Sequence, residues 1–127
     1  FISVDARENP FSSTEKNNIL VDASKKSKVL FYDYGKIYID DKSLKILTKD
    51  SLKKRFLLSK PYRMVFDFTR DSDMGTKYIK NLDGAFKNII LGSHQKYYRV
   101  VIELDNLYRY KNDTISNGYI IMAIPKE

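Results

Sequence analysis

The chain contains no cysteine. That excludes a disulfide framework, thiol catalysis and cysteine-based zinc or iron–sulfur sites, and it leaves the redox compartment open. Histidine is almost as scarce. His94 stands alone in Gly92-Ser93-His94. A nucleophile and its base must be brought together from separate positions to within about 3 Å, which adjacent residues rarely achieve. No Gly-x-Ser-x-Gly elbow, glycine-rich phosphate loop or dinucleotide fingerprint is present. Asp71-Ser72-Asp73-Met74-Gly75 lacks the third acid and the closing glutamate of a calcium loop, so it reads as a solvated turn. No apolar run approaches the roughly 20 residues that span a bilayer. These absences predict a non-enzyme with no metal and no cofactor, and with no membrane span in this chain.

The rest of the composition is informative about surface and size. The 127 residues fit one domain, and 43% hydrophobic content is enough for a core. Lys and Arg outnumber Asp and Glu by 23 to 16, a net charge of +7. Such a surface attracts polyanions: nucleic acid, anionic lipid or an acidic wall polymer. The chain opens at Phe1 rather than methionine, which predicts a trimmed piece whose targeting segment has been removed.

Two stretches organise the sequence. Pro61-Tyr-Arg-Met-Val-Phe-Asp-Phe-Thr69 and Tyr97-Tyr-Arg-Val-Val-Ile-Glu-Leu-Asp105 share one pattern. Arg63, Val65 and Asp67 match Arg99, Val101 and Glu103. On the other parity Met64, Phe66 and Phe68 match Val100, Ile102 and Leu104. Strand side chains alternate between faces, so each stretch buries an apolar row and presents Arg-Val-acid outward. The repetition predicts a duplicated unit and a pseudo-twofold sandwich of two sheets, with Asp67 and Glu103 on different sheets. That separation argues against a glycosidase pair, which needs its carboxylates about 5–10 Å apart.

Taken in order, residues 1–28 are polar and weakly patterned, and read as a linker or docking arm anchored by Phe11 or by a strand at 19–21. Lys25-Lys26-Ser27-Lys28 is a basic break before a domain over 29–127. Strands are expected at 29–34 and 37–39 around Gly35-Lys36, then at 44–48, 55–59 and 62–69. Turn signals recur at intervals of roughly 8–12 residues, as in sandwiches. A short helix is expected near 76–85, with Ile79, Leu82 and Ala85 on one side. Strands follow at 86–91, 97–104 and 119–124, the last stopped by Pro125. Residues 105–118 read as polar connection. The fold class is all-β.

In this order the pieces resemble an AMIN domain. They are Lys60-Pro-Tyr-Arg-Met-Val-Phe-Asp-Phe68, Ile89-Ile-Leu-Gly-Ser-His94, Tyr98-Arg-Val-Val-Ile-Glu-Leu104 and Gly118-Tyr-Ile-Ile-Met-Ala-Ile124. The resemblance covers about residues 29–125. The family pattern departs at two places: Ile90 stands where many members carry an arginine before a glycine turn, and Tyr62 replaces a proline. The resemblance implies two small packed β-sheets, a non-catalytic role in binding peptidoglycan, and a periplasmic place in the bacterial cell envelope. Family members sit ahead of cell-wall amidases, which are zinc enzymes, and in pilus secretins.

The candidate ligand-binding residues are therefore Arg63, Val65, Asp67, Arg99, Val101 and Glu103, with Tyr62 and Tyr98 (and Tyr97) as stacking rings. Residues two apart on a strand stand about 7 Å from one another. Arginine there donates to carboxylate or amide, and the acid accepts from hydroxyl or N–H. The alternative for the same rows is cross-strand ion pairing on a solvated face, worth a few tenths of a kcal/mol per pair. Other functions stay open at this point. A protein-docking module of an envelope assembly would use an exposed strand edge. A single-stranded nucleic-acid binder would use the charge and the tyrosines, although no Gly-Phe-x-Phe segment supports it.

Overall fold

The computed structural model describes residues 19–22 and 27–126. Every described element is a strand: β1 (Ile19–Asp22), β2 (Ser27–Tyr32), β3 (Gly35–Ile39), β4 (Ser43–Thr48), β5 (Leu52–Leu58), β6 (Arg63–Thr69), β7 (Lys77–Ile79), β8 (Phe86–His94), β9 (Tyr97–Leu104), β10 (Tyr108–Ile115) and β11 (Gly118–Pro125). They form two antiparallel sheets. The first runs β1-β2-β3-β4-β11-β10 and the second β5-β6-β9-β8-β7. The chain lays down a four-strand meander and crosses at the turn after Thr48. It then builds the whole second sheet and returns to close the first by pairing β11 on β4. Residues 19–22, and Ser27 and Lys28 of β2, lie within the stretch read as an arm; here they pair as strand in the first sheet. Phe11, Lys25 and Lys26 lie outside the described residues.

Period-two alternation decides which side chains meet. Leu30, Ile37, Ile39, Leu44, Ile46 and Ile121 come from the first sheet. Met64, Phe66, Phe68, Ile89, Leu91, Val100, Ile102 and Leu104 come from the second. All are buried in one cluster between the sheets. Removing each large apolar side chain from water contributes about 1.5–3 kcal/mol, so this cluster is the main source of stability.

At one end the two sheets are latched by hydroxyls. Tyr98 of β9 is fully buried, and its ring packs 5.3 Å from Phe68 and 5.5 Å from Tyr32. Its Oη lies 3.1 Å from Tyr32 Oη and 3.0 Å from Thr48 Oγ1, both on the opposite sheet. Arg70 closes the same end: its Nε donates to Asp50 at 2.8 Å, and its guanidinium lies 4.4 Å from the Tyr34 ring centre.

Three expectations are corrected. Residues 76–85 are not a helix. Lys77–Ile79 is an edge strand on β8, and the chain beyond it crosses the end of the sandwich. Leu82 and Ala85 still reach the core, because a loop held by Leu82 N–H to Lys87 O (3.0 Å) and Ala85 N–H to Asp41 O (2.8 Å) points both inward. Gly84 permits that path, since a Cβ there would fall 2.5 Å from the Asp41 carbonyl oxygen. Residues 105–118 are not merely a connection, for β10 occupies most of them. It is an edge strand whose inward side chains are Tyr108, Tyr110 and Asn112 rather than aliphatics, so its mean hydropathy is low while its alternation holds from Tyr108 to Asp113.

The third correction concerns the duplicated stretches. They do not lie on different sheets. Strands β6 and β9 are antiparallel neighbours, with Arg63 opposite Glu103, Val65 opposite Val101 and Asp67 opposite Arg99. The reason is electrostatic. An Arg-x-Val-x-acid strand run antiparallel to its like sets each arginine against an acid, and opposite charges directly across a ladder attract.

Burial pushes the phenols of Tyr98 and Tyr32 above the ordinary tyrosine value. An unfolded phenol ionises near pH 10, while the folded state keeps these two neutral. Their contribution is therefore fully present below about pH 10 and is lost as pH rises above it toward the folded values. Replacing Tyr98 by Phe should cost about 1 kcal/mol at neutral pH, the worth of a buried hydrogen bond. It should also make the alkaline loss shallower. Urea unfolding at neutral pH and above about pH 10 checks both, and an unchanged alkaline slope would remove Tyr98 from the latch.

Candidate binding face

The outward face of the second sheet is built from three cross-strand rows. The register sets Lys54, Asp67, Arg99 and Gly92 in one row and Phe56, Val65, Val101, Ile90 and Tyr78 in the next. Leu58, Arg63, Glu103 and Asn88 form the third. Five strands thus present an apolar band between two charged bands. Tyr78, at the far edge, is 59% exposed.

Asp67 and Arg99 dominate the first row. Arg99 Nε donates to Asp67 Oδ1 at 2.8 Å, and Nη2 donates to Oδ2 at 3.0 Å. The Asp67 side chain is completely buried, whereas that of Arg99 is 30% exposed. The bond to Asp67 raises the arginine further above its ordinary value, so it stays charged. A bidentate pair uses two of the five guanidinium N–H donors. The others remain free of the carboxylate.

Rings hold that guanidinium from either side. Its carbon lies 5.5 Å from the Phe56 centre and 5.7 Å from the Tyr97 centre. Tyr97 in turn stacks on His94, with centroids 4.7 Å apart and planes 5° from parallel, while Lys53 Nζ sits 4.7 Å from the Tyr97 centre. Lys53 reaches this position because a bulge between Leu52 and Lys54 inserts an extra residue in β5. Opposite Arg99 stands Gly92, whose missing side chain leaves a notch; a Cβ there would meet only Thr76 Oγ1, at 3.9 Å. The result is a fixed cation drawn toward β6 between two aromatic rings, with an open gap at Gly92 on the other side of β9.

The expected site residues divide on burial. Arg99, Val101, Arg63 and Glu103 are half-buried on the outward face. Arg63 Nε donates to Pro61 O at 3.1 Å, and Glu103 accepts from the Asn88 side-chain amide. Val65 and Asp67 lie on the same face but are covered, at 1% and 0% exposure. They hold Arg99 and the band in place and cannot touch a ligand, which corrects the reading of Asp67 as an acceptor for hydroxyls. Tyr98 is corrected too: it has inward parity and belongs to the core latch. Tyr62 shares the inward parity and packs against Tyr110, with centroids 5.8 Å apart. Tyr97, two positions before Arg99, is the ring the outward face uses. Phe56, Lys53 and the Gly92 notch come from β5 and β8, and only the sheet order brings them to the Arg99 row, with Tyr78 of β7 farther out on the same face.

His94 has a stacking partner and ends β8. Among the described residues no three His, Cys, Asp or Glu side chains gather as a metal site. No helix among them is long and apolar enough to cross a membrane.

The class this architecture defines is a small antiparallel β-sandwich with a basic, aromatic sheet face. The AMIN domain family model matches residues 36–123, from β3 to β11, and the chain belongs to that family. AMIN domains are non-catalytic peptidoglycan-binding and targeting modules of periplasmic and envelope proteins. Comparison with curated proteins and with solved structures gave no match.

Truncating Arg99 strands a buried carboxylate. Arg99→Ala should lose about 3 kcal/mol of stability. The pair Asp67→Val/Arg99→Leu should lose less than that single change, because no unpaired charge is left inside. Denaturant midpoints of the three proteins decide it. Equal losses in the single and the double change would show that packing, not the charge pair, holds this row.

Proposed function

We propose that this domain anchors a bacterial envelope protein to the cell wall by laying the outward face of its second sheet on peptidoglycan, with no reaction of its own. The observation that carries the reading is Arg99, fixed by Asp67 between Phe56 and Tyr97, with the Gly92 gap beside it across β9. A rigid cation with unused N–H donors suits the carboxylates and amide carbonyls of stem peptides and N-acetyl groups. Aromatic faces suit sugar rings, whose C–H surfaces are apolar. The apolar band beside them excludes water from the contact. Family membership supports the polymer, and the net charge of +7 supports attraction to an anionic wall over long range. Arg63 and Glu103, in the third row, extend the same face toward the Pro61 turn.

Sedimentation with purified sacculi tests this at about 0.15 M salt, where the screening length is roughly 8 Å. The wild type should pellet. Gly92→Val fills the notch without a steric conflict in the backbone, so it should stay folded and bind about tenfold more weakly, or ~1.4 kcal/mol. Wild-type protein left in the supernatant would sink the wall reading. Pelleting that disappears with modest salt and ignores Gly92→Val would reduce the affinity to net charge. In that case docking to an envelope protein through a strand edge becomes the better account.

A further inference from the structure

A second concavity lies at the opposite end of the sandwich from the Tyr98 latch. It opens between the turn joining β5 to β6 and strand β10, with a volume of about 620 Å³. Sites for small ligands usually enclose roughly 300–1,000 Å³. Its wall is tyrosine: Tyr62 from the turn before β6, Tyr108 and Tyr110 from β10. Lys60 and Lys126 stand at its rim, and Arg109 borders it from the outward parity of β10. Among the described residues no carboxylate lines it.

From this geometry we infer that the cleft is a binding site for a carboxylate-bearing saccharide. The tyrosine wall is rigid. Tyr110 Oη donates within reach of Asp105 O at 2.6 Å and Ala85 O at 3.1 Å, and its ring meets Phe86 at 5.9 Å. Tyr62 stands at 60° to Tyr110 and Tyr108 at 63°, so the rings form an angled surface rather than a flat one. Tyr62 and Tyr108 are only half-buried, which leaves part of each ring toward the opening. Such rings take the C–H face of a sugar or another ring. The lysines at the rim select a ligand that carries negative charge as well. A purely apolar peptide would strand those cations, and a bare anion would leave the tyrosine wall unused. A sugar with an acid substituent satisfies both. The cleft is also continuous with the sheet face: Pro61 in its lip accepts from Arg63 of the third row. A polymer crossing that row reaches the cleft. The inference rests on the wall-binding reading for its polymer, and it adds a site that prefers a sugar whose lactyl carboxylate is free, as in glycan without its stem peptide, over one in which that group is an amide.

The test is an amide-shift titration of the whole chain, labelled with ¹⁵N. The probe is the disaccharide of N-acetylglucosamine and N-acetylmuramic acid with its lactyl carboxylate free. Comparison titrations use the same disaccharide with that carboxylate amidated, and acetate alone. The acid disaccharide should shift Ser59, Tyr62 and the amides of 106–110. The amidated form should bind about tenfold more weakly. Lys60→Gln and Lys126→Gln, both at exposed positions, should each weaken binding several-fold without changing the remaining spectrum. Equal binding of acid and amide overturns the inference, as does an acetate response matching that of the disaccharide. Shifts confined to β6 and β9 overturn it as well. The two readings fail separately: a wild type that pellets with sacculi but shows no cleft shifts loses only this site, whereas one that does not pellet loses the wall reading first.

Discussion

The ion pair between Asp67 and Arg99 constrains the second sheet more than any other contact. A carboxylate with no exposed surface must be fully paired, because an unmatched charge inside costs several kcal/mol. Only one register of β6 against β9 supplies that pairing. A slip of one residue would turn Met64, Phe66 and Phe68 outward and aim the acids at the core. The pair therefore helps to fix the alignment of the two central strands. From that alignment follow the apolar band, the placing of Phe56 beside the guanidinium, and the gap over Gly92.

Rigidity and recognition are separated along β9. Its inward residues are held by the inter-sheet core and the Tyr98 hydroxyl latch. Its outward residues, Tyr97, Arg99, Val101 and Glu103, alternate with them one for one. No loop intervenes between scaffold and surface, so a side chain on this face inherits the stiffness of the core. A preorganised contact of this kind loses little further freedom on binding.

Much of this was legible in the residues. Period-two alternation identified both central strands, their inward rows and their outward rows, and recurrent turn signals pointed to a sandwich. What alternation within a strand does not carry is which strands become neighbours. The two Arg-Val-acid segments look like copies, and copies suggest separate sheets; their charges are complementary only when one is reversed. The misplaced Tyr98 was a matter of parity, since 98 counts with 100, 102 and 104. The expected helix near 76–85 arose because Ile79, Leu82 and Ala85 are spaced three apart, a spacing that a loop folded over a sheet end satisfies equally well. Strand β10 was hidden by tyrosine, which packs like a hydrophobic side chain and scores as a half-polar one. Phe56 and the Gly92 notch had no signal in one dimension, because their meaning depends on sheet order.

The bulge in β5 has an effect beyond its placing of Lys53. Among the described residues this strand is one margin of the second sheet, β7 being the other, and an unpaired margin invites a matching strand from another molecule. Here the ladder loses its regular spacing at Lys53, and Lys53-Lys54-Arg55 follow with three like charges in succession. A second copy brought alongside would meet mismatched hydrogen bonds and its own repulsion. At this margin the sheet is thereby kept from extending itself into a second copy of the domain.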